Sequence, residues 1–140
     1  MTQREALLAI ARRNDGLLTP SAVIEEARDE NSVLHGAFTW DDTEAAAKWR
    51  IYEAQKLIRD CRITIEVGEE MVETYTFVGL STDRNNSAKD NPYRLAQDVA
   101  ASPNLTAIAE NDAKEQLRSV KKRYGHISSL KRIWDDIDHI

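Results

Sequence analysis

The chain has 140 residues, 41% of them apolar, which is the length of one domain and enough for one core but not for more than two independent units. Its 19 Lys and Arg against 24 Asp and Glu leave a net charge of −5, so coating nucleic acid by bulk charge is disfavoured and any DNA contact has to come from a local patch. The acid excess lies at the front: residues 1–80 carry 9 basic and 15 acidic side chains, residues 81–140 carry 10 and 9.

A single cysteine, Cys61, cannot form an internal disulfide and offers no zinc cage, which fits a reducing compartment. The opening MTQREALLAIARRND places charges inside its apolar stretch and lacks a small-residue cleavage site. No run reaches the roughly 18 apolar residues of a membrane span. The expectation is a cytoplasmic protein without a membrane partner.

The first helix is announced by Thr2 and Glu5, spaced as a capping box, and carries Leu7, Ile10 and Ala11 at helical intervals. It is expected over Gln3 to Asn14, with Gly16 free to take the left-handed conformation that stops it. Thr19 and Pro20 form an N-cap and first-position pair opening helix two, which runs to about Asp29. The stretch NSVLHGAFTW has no sustained period and reads as a loop pinned by Leu34, Phe38 and Trp40.

Asp41 with Glu44 repeats the capping-box spacing and opens helix three, AAAKWRIYEAQKLIRD. Its expected inward stripe is Ala47, Ile51, Ala54 and Ile58. Lys48, Tyr52, Gln55, Lys56 and Arg59 fall on the opposite side. Beyond it RITIEV alternates, the run from Met71 to Val78 is rich in β-formers, and the two predict a hairpin with an acidic tip at Glu69 and Glu70.

Residues 79–92 are nearly all turn formers and predict an exposed connector. A short helix, YRLAQDVAA, is expected next, then a second N-cap and proline pair at Ser102 and Pro103. From Leu105 to Asp138 there is no proline. Leu117, Val120, Tyr124, Ile127, Leu130, Trp134 and Ile137 recur in steps of three or four, an amphipathic stripe of one long helix or of a helical hairpin broken near Gly125. The expected class is therefore α+β, mainly α: a winged-helix-like module of three helices and a hairpin over 1–80, a connector over 81–92, and a helical segment over 93–140.

Three helices followed by a hairpin is the order of a winged helix-turn-helix, whose last helix enters the major groove. Lys48, Tyr52, Gln55, Lys56 and Arg59 have side chains suited to phosphate and base-edge contacts. Any surface helix also turns Lys, Gln and Arg outward, and the acidic hairpin tip argues against a wing that grips phosphate. In the C-terminal segment Lys114, Arg118, Lys121, Lys122, Arg123, Lys131 and Arg132 form a basic run, of which Lys121, Lys122 and Arg123 are candidate phosphate contacts. The same run also suits a plain solvated helix face. Leu117, Val120, Tyr124, Ile127 and Trp134 are the candidate residues for pairing with a second copy, coiled-coil fashion, in a two-fold dimer.

Catalytic chemistry finds little support. Asp41 and Asp42 suit helix capping, Glu69 and Glu70 a hairpin tip, and Cys61 a small side chain at a strand start. His35 and His126 lack a partner at nucleophile spacing. Asp135, Asp136, Asp138 and His139 make one metal-like cluster at a fraying terminus, where binding would be weak. No glycine-rich phosphate loop occurs among the five glycines. The expectation is a non-enzyme with no cofactor and no metal.

The segment GLLTPSAVIEEARDENSVLHGAFTWDDTEAAAKWRIYEAQKLIR, Gly16 to Arg59, resembles one found in uncharacterised small proteins of tailed phages and prophages, and KRYGHISSLKRIWDDI resembles their tail. The likeness implies a phage-encoded setting and assigns no activity and no catalytic residue. The reading that follows is a non-enzymatic DNA-binding accessory or regulatory protein that contacts double-stranded DNA through helix three. The alternatives are an acidic interaction module for a host or phage protein, or a virion or assembly component.

Overall fold

The computed structural model describes residues 1–41, 43–85 and 90–140, and its class is α+β, mainly α. The first helix, α1 (Gln3–Arg13), starts at the expected capping box, with the Glu5 amide donating to Thr2 Oγ1 at 3.1 Å. It stops where Asp15 (φ 57°) and Gly16 (φ 83°) turn left-handed and the Gly16 amide reaches back to the Ala11 carbonyl at 2.8 Å. A two-residue strand, β1 (Leu17–Leu18), leads into α2 (Pro20–Ala27), capped by Thr19 as its sequence predicts.

The loop before the third helix contains a 3-10 turn (His35–Ala37) and buries Leu34 and Phe38. The helix α3 (Glu44–Asp60) is capped by Thr43, whose hydroxyl accepts from the Ala46 amide at 3.1 Å, and not by Asp41. A hydroxyl one residue before the first helical position fits the cap geometry, so the expected Asp41 box does not form. Asp42, the second expected cap, lies outside the described residues.

Strands β2 (Arg62–Val67) and β3 (Glu70–Tyr75) form the expected hairpin, with Gly68 at φ 63° in its two-residue turn. The return run does not stay straight to Val78. It breaks at Thr76, and β4 (Phe77–Val78) joins a different sheet. In that sheet β5 (Tyr93–Leu95) lies between β1 and β4, antiparallel to both. Tyr93 to Leu95, expected as the start of a helix, is therefore a strand, and α4 begins only at Ala96 (Ala96–Ala101).

The sheet order also moves the organisation of the chain. Leu95 belongs to the same core as Leu7, Ile10, Leu18, Val23, Ala54, Ile58 and Phe77, so the front module takes its central strand from beyond the expected connector. Two side chains of that connector bind it down. Asp90 accepts from the amide and hydroxyl of Ser21 at the start of α2, both at 2.8 Å, and Asp83 holds Arg94 of β5 through two contacts of 2.5 and 2.8 Å. Residues 86–89 of the expected connector lie outside the described residues.

The C-terminal stripe is a hairpin and not one helix. Ser102 caps α5 (Pro103–Tyr124), which ends at Gly125; a 3-10 turn (Ser128–Leu130) then leads into α6 (Lys131–Ile137). A side chain at residue 125 would place its Cβ 2.6 Å from the Lys121 carbonyl, so glycine is what lets the chain leave α5 there. α6 folds back along α5, burying Trp134 and Ile137, and the Trp134 indole donates to the Ile127 carbonyl at 3.2 Å. Among the described residues no helix is long and apolar enough to cross a membrane.

Candidate nucleic-acid interface

α3 is set by a contact its sequence pattern does not reveal. The buried stripe runs through Ala46, Arg50, Ala54 and Ile58, while Ala47 is exposed and Ile51 only half-buried. This corrects the expected stripe by about one position in its first two turns. Arg50 takes the inward place because its guanidinium donates to the Thr39 and Asp41 carbonyls, at 2.9 and 3.1 Å, and covers the Trp40 ring. Glu53, one turn further on, accepts from the Thr39 amide at 3.1 Å.

Trp40 completes this lock. Its ring stacks on His35 with centroids 5.0 Å apart and planes 6° apart, and its indole donates to the His35 carbonyl at 2.8 Å. The His35 ring nitrogen Nδ1 lies 2.8 Å from the Ala27 carbonyl at the end of α2. The loop is thus tied to both helices, and α3 is held at a fixed angle to α2.

The opposite face is turned to solvent as expected: Lys48, Tyr52, Lys56 and Arg59 are exposed and Gln55 is half-buried. Lys56 is not unpaired, because its ammonium binds Asp60 at 2.6 Å. The hydrogen bond and the charge of the partner raise the Lys56 pKa, and the same bond, with Lys56, Arg62 and Arg59 nearby, holds Asp60 below its ordinary range. Beyond the helix end, Arg62 donates to the Arg59 carbonyl at 2.6 Å and lies 4.0 Å over the Tyr75 ring.

Two features of this face escape the sequence reading. Trp49 is 53% exposed and packs its ring against Tyr52, itself 45% exposed, with centroids 4.9 Å apart. A signal was present, since Trp49 lies off the buried stripe and a tryptophan there has no core to enter. Between α2 and α3 runs a groove of about 580 Å³ with an apolar floor at Ile24, Ala47 and Ile51 and polar walls at Arg28, Lys48 and Gln55.

The hairpin beside α3 is acidic, with Glu66, Glu69, Glu70 and Glu73 against Arg62 alone. In the C-terminal hairpin, Lys121 is tied to Asp138, Arg118 to Glu115 at 2.8 Å and Lys114 to Glu110 at 3.1 Å, while Lys122 and Arg123 are exposed. The front and rear basic candidates therefore sit on separate elements. Of the pairing candidates, Leu117, Val120 and Tyr124 are exposed, Ile127 is half-buried, and Trp134 is buried within the chain's own fold and so is not offered for pairing.

Near the C-terminus Asp135 faces Lys131, Asp138 faces Lys121, and His139 Nδ1 lies 2.7 Å from the Asp135 carbonyl. Among the described residues no group of three or more His, Cys, Asp or Glu side chains is arranged to hold a metal. Comparison with protein-family models, with curated proteins and with solved structures finds no match to this chain.

Proposed function

We propose that the protein is a non-enzymatic DNA-binding accessory or regulatory protein, phage-encoded and acting in the cytoplasm of the host cell, that lays α3 against a duplex. The observation that carries this reading is the outward face of α3. Lys48, Tyr52, Gln55, Lys56 and Arg59 share one side of a helix whose other side is locked to α2 and the core, a rigid presentation of phosphate- and base-contacting groups. The element order α1, β1, α2, α3 and hairpin supports it, being that of winged helix-turn-helix modules. The acidic hairpin takes no part in gripping phosphate, which leaves the cations of α3 as the contact.

The test is fluorescence anisotropy against duplex fragments across a salt series. Binding is expected to weaken linearly in log salt, with a slope reporting a few phosphate contacts. Replacing Lys48 and Arg59 by Glu should abolish it without changing the circular-dichroism spectrum. Full retention of binding by that variant removes α3 as the reading element.

A second reading is favoured by one observation, the exposed Trp49–Tyr52 pair. Aromatic side chains standing in solvent are the residue types that anchor protein interfaces, and Tyr52 of this pair also lines the α2–α3 groove. Under this reading the site takes a host or phage protein, and Trp49→Ala abolishes binding of that partner. Absence of duplex binding at low salt, with a stoichiometric protein partner lost on Trp49→Ala, selects this reading over the first.

A further inference from the structure

The groove between α2 and α3 holds about 580 Å³, within the size range of small-molecule sites. Along α2 it runs from Ser21 to Arg28, a length of about 10 Å at the helical rise. That is roughly the reach of an extended eight-carbon chain. It is far short of the roughly 800 Å² that each side of a stable protein interface covers. Ile24, Ala47 and Ile51 make its floor, so an apolar body is what it accepts.

The charged side chains around this floor select the head group. Arg28, Lys48 and Arg50 line the groove against one acid, Glu25, in a chain whose net charge is −5. Two of these cations are already engaged. Arg28 binds Glu25 at 2.9 Å, and Arg50 donates to the Thr39 and Asp41 carbonyls. Lys48 is exposed and makes no ion pair among the described residues. Tyr52 lines the same wall with a phenol able to donate to a carboxylate oxygen. One uncommitted cation beside an apolar floor suits a single negative charge. A cationic ligand would meet an excess of positive charge, and a polyanion would find one partner for several charges.

We propose that the α2–α3 groove binds a small amphipathic carboxylate, with its apolar body on Ile24, Ala47 and Ile51 and its carboxylate on Lys48. The site stands independently of what α3 binds. Under the duplex reading it also regulates, because ligand and duplex share Lys48 and Tyr52, and only this consequence rests on that reading.

Octanoate, octan-1-ol and octylammonium share a chain and differ in head group, so titrating each into the isotope-labelled full chain separates charge from apolar contact. Octanoate should shift the Ile24, Ala47, Lys48 and Ile51 amides saturably, with dissociation on the order of a millimolar. The alcohol and the ammonium should bind several-fold more weakly. Ala47→Leu fills the floor from an exposed position, so it should fold as the parent does and lose the octanoate shifts. Lys48→Gln should reduce octanoate to the level of the alcohol.

Shifts that do not saturate, equal binding by octan-1-ol or octylammonium, or full retention in Ala47→Leu overturn the proposal. Shifts of the same amides with protein concentration alone also overturn it, because the occupant is then a second copy. In the duplex titration octanoate should weaken binding by the parent and not by Ala47→Leu. Saturable octanoate binding by a chain that binds no duplex keeps the groove site and removes the duplex reading. Duplex binding untouched by saturating octanoate removes the regulation.

Discussion

The guanidinium carbon of Arg50 lies 5.3 Å from the centre of the Trp40 ring, on a side chain that also donates to the Thr39 and Asp41 carbonyls. Cation–π attraction, two charge-assisted hydrogen bonds and packing all act at one buried position. Arg50→Ala is expected to lower stability by about 1–3 kcal/mol. Arg50→Lys should recover only part of this, because an ammonium lacks the planar fork that stacks and donates at once. Urea denaturation of Arg50→Ala, Trp40→Phe and the double variant checks it. Strict additivity would mean that the two side chains do not act as a unit.

That lock also marks the boundary of what the sequence makes legible. Local signals carried far: the Thr2–Glu5 box, Thr19–Pro20, Ser102–Pro103 and Gly16 each act within a few residues, and each is found where its pattern puts it. One local signal misplaced a cap, since α3 is capped by Thr43 and not by Asp41; the other failures depend on distant partners. Leu17 and Leu18 form a strand because Tyr93 and Arg94 pair with them, and strands of two and three residues are too short to show a period. Arg50 is buried by carbonyls of a loop nine and eleven residues back, which no apolar count detects. On α3, the polar residues expected outside lie outside, yet the ion pair at Lys56 and the aromatic pair at Trp49 come from neighbours one helical turn away and alter what that face offers.

Asp112 gives the C-terminal arm a dependence on acid. Its carboxylate accepts from the Ser81 hydroxyl and amide, and these bonds hold its pKa below the ordinary 3.8. A lowered folded value means that the unfolded chain binds the proton first. The stabilisation is therefore complete above the unfolded pKa and is lost as pH falls through the folded one. Asp112→Ala should melt earlier than the parent at neutral pH, with the gap narrowing below about pH 4. A gap that stays constant from pH 7 to pH 3 would separate the role of Asp112 from its ionisation.

Thr76 stands where the hairpin arm ends and the three-stranded sheet begins. Its amide donates to Cys61 and its carbonyl accepts from Ala96, both bonds between backbones, while its hydroxyl is buried with no partner among the described residues. An unsatisfied buried hydroxyl costs free energy that a methyl group of the same shape does not. Thr76→Val is expected to raise stability by about 1 kcal/mol, read as a higher midpoint in thermal denaturation. A loss of comparable size would show that the hydroxyl is bonded in solution.

Gly125 ends α5 in an ordinary right-handed conformation, φ −59° and ψ −16°, so its need for glycine is one of space and not of backbone hand. The Lys121 carbonyl occupies the place of a side chain, at 2.6 Å from an added Cβ, and a backbone atom cannot swing aside as a lysine tip can. In Gly125→Ala two outcomes compete: the turn opens, or α5 continues straight, since alanine favours helix by about 1 kcal/mol over glycine. Either route pulls α6 off α5 and exposes Trp134, now 6% accessible. The expected result is a red shift and stronger quenching of tryptophan fluorescence with no loss of helical circular dichroism, together with weakening of the Lys121–Asp138 pair. An emission spectrum unchanged from the parent would mean that the hairpin absorbs the methyl group and that Trp134, not Gly125, determines where the helix turns back.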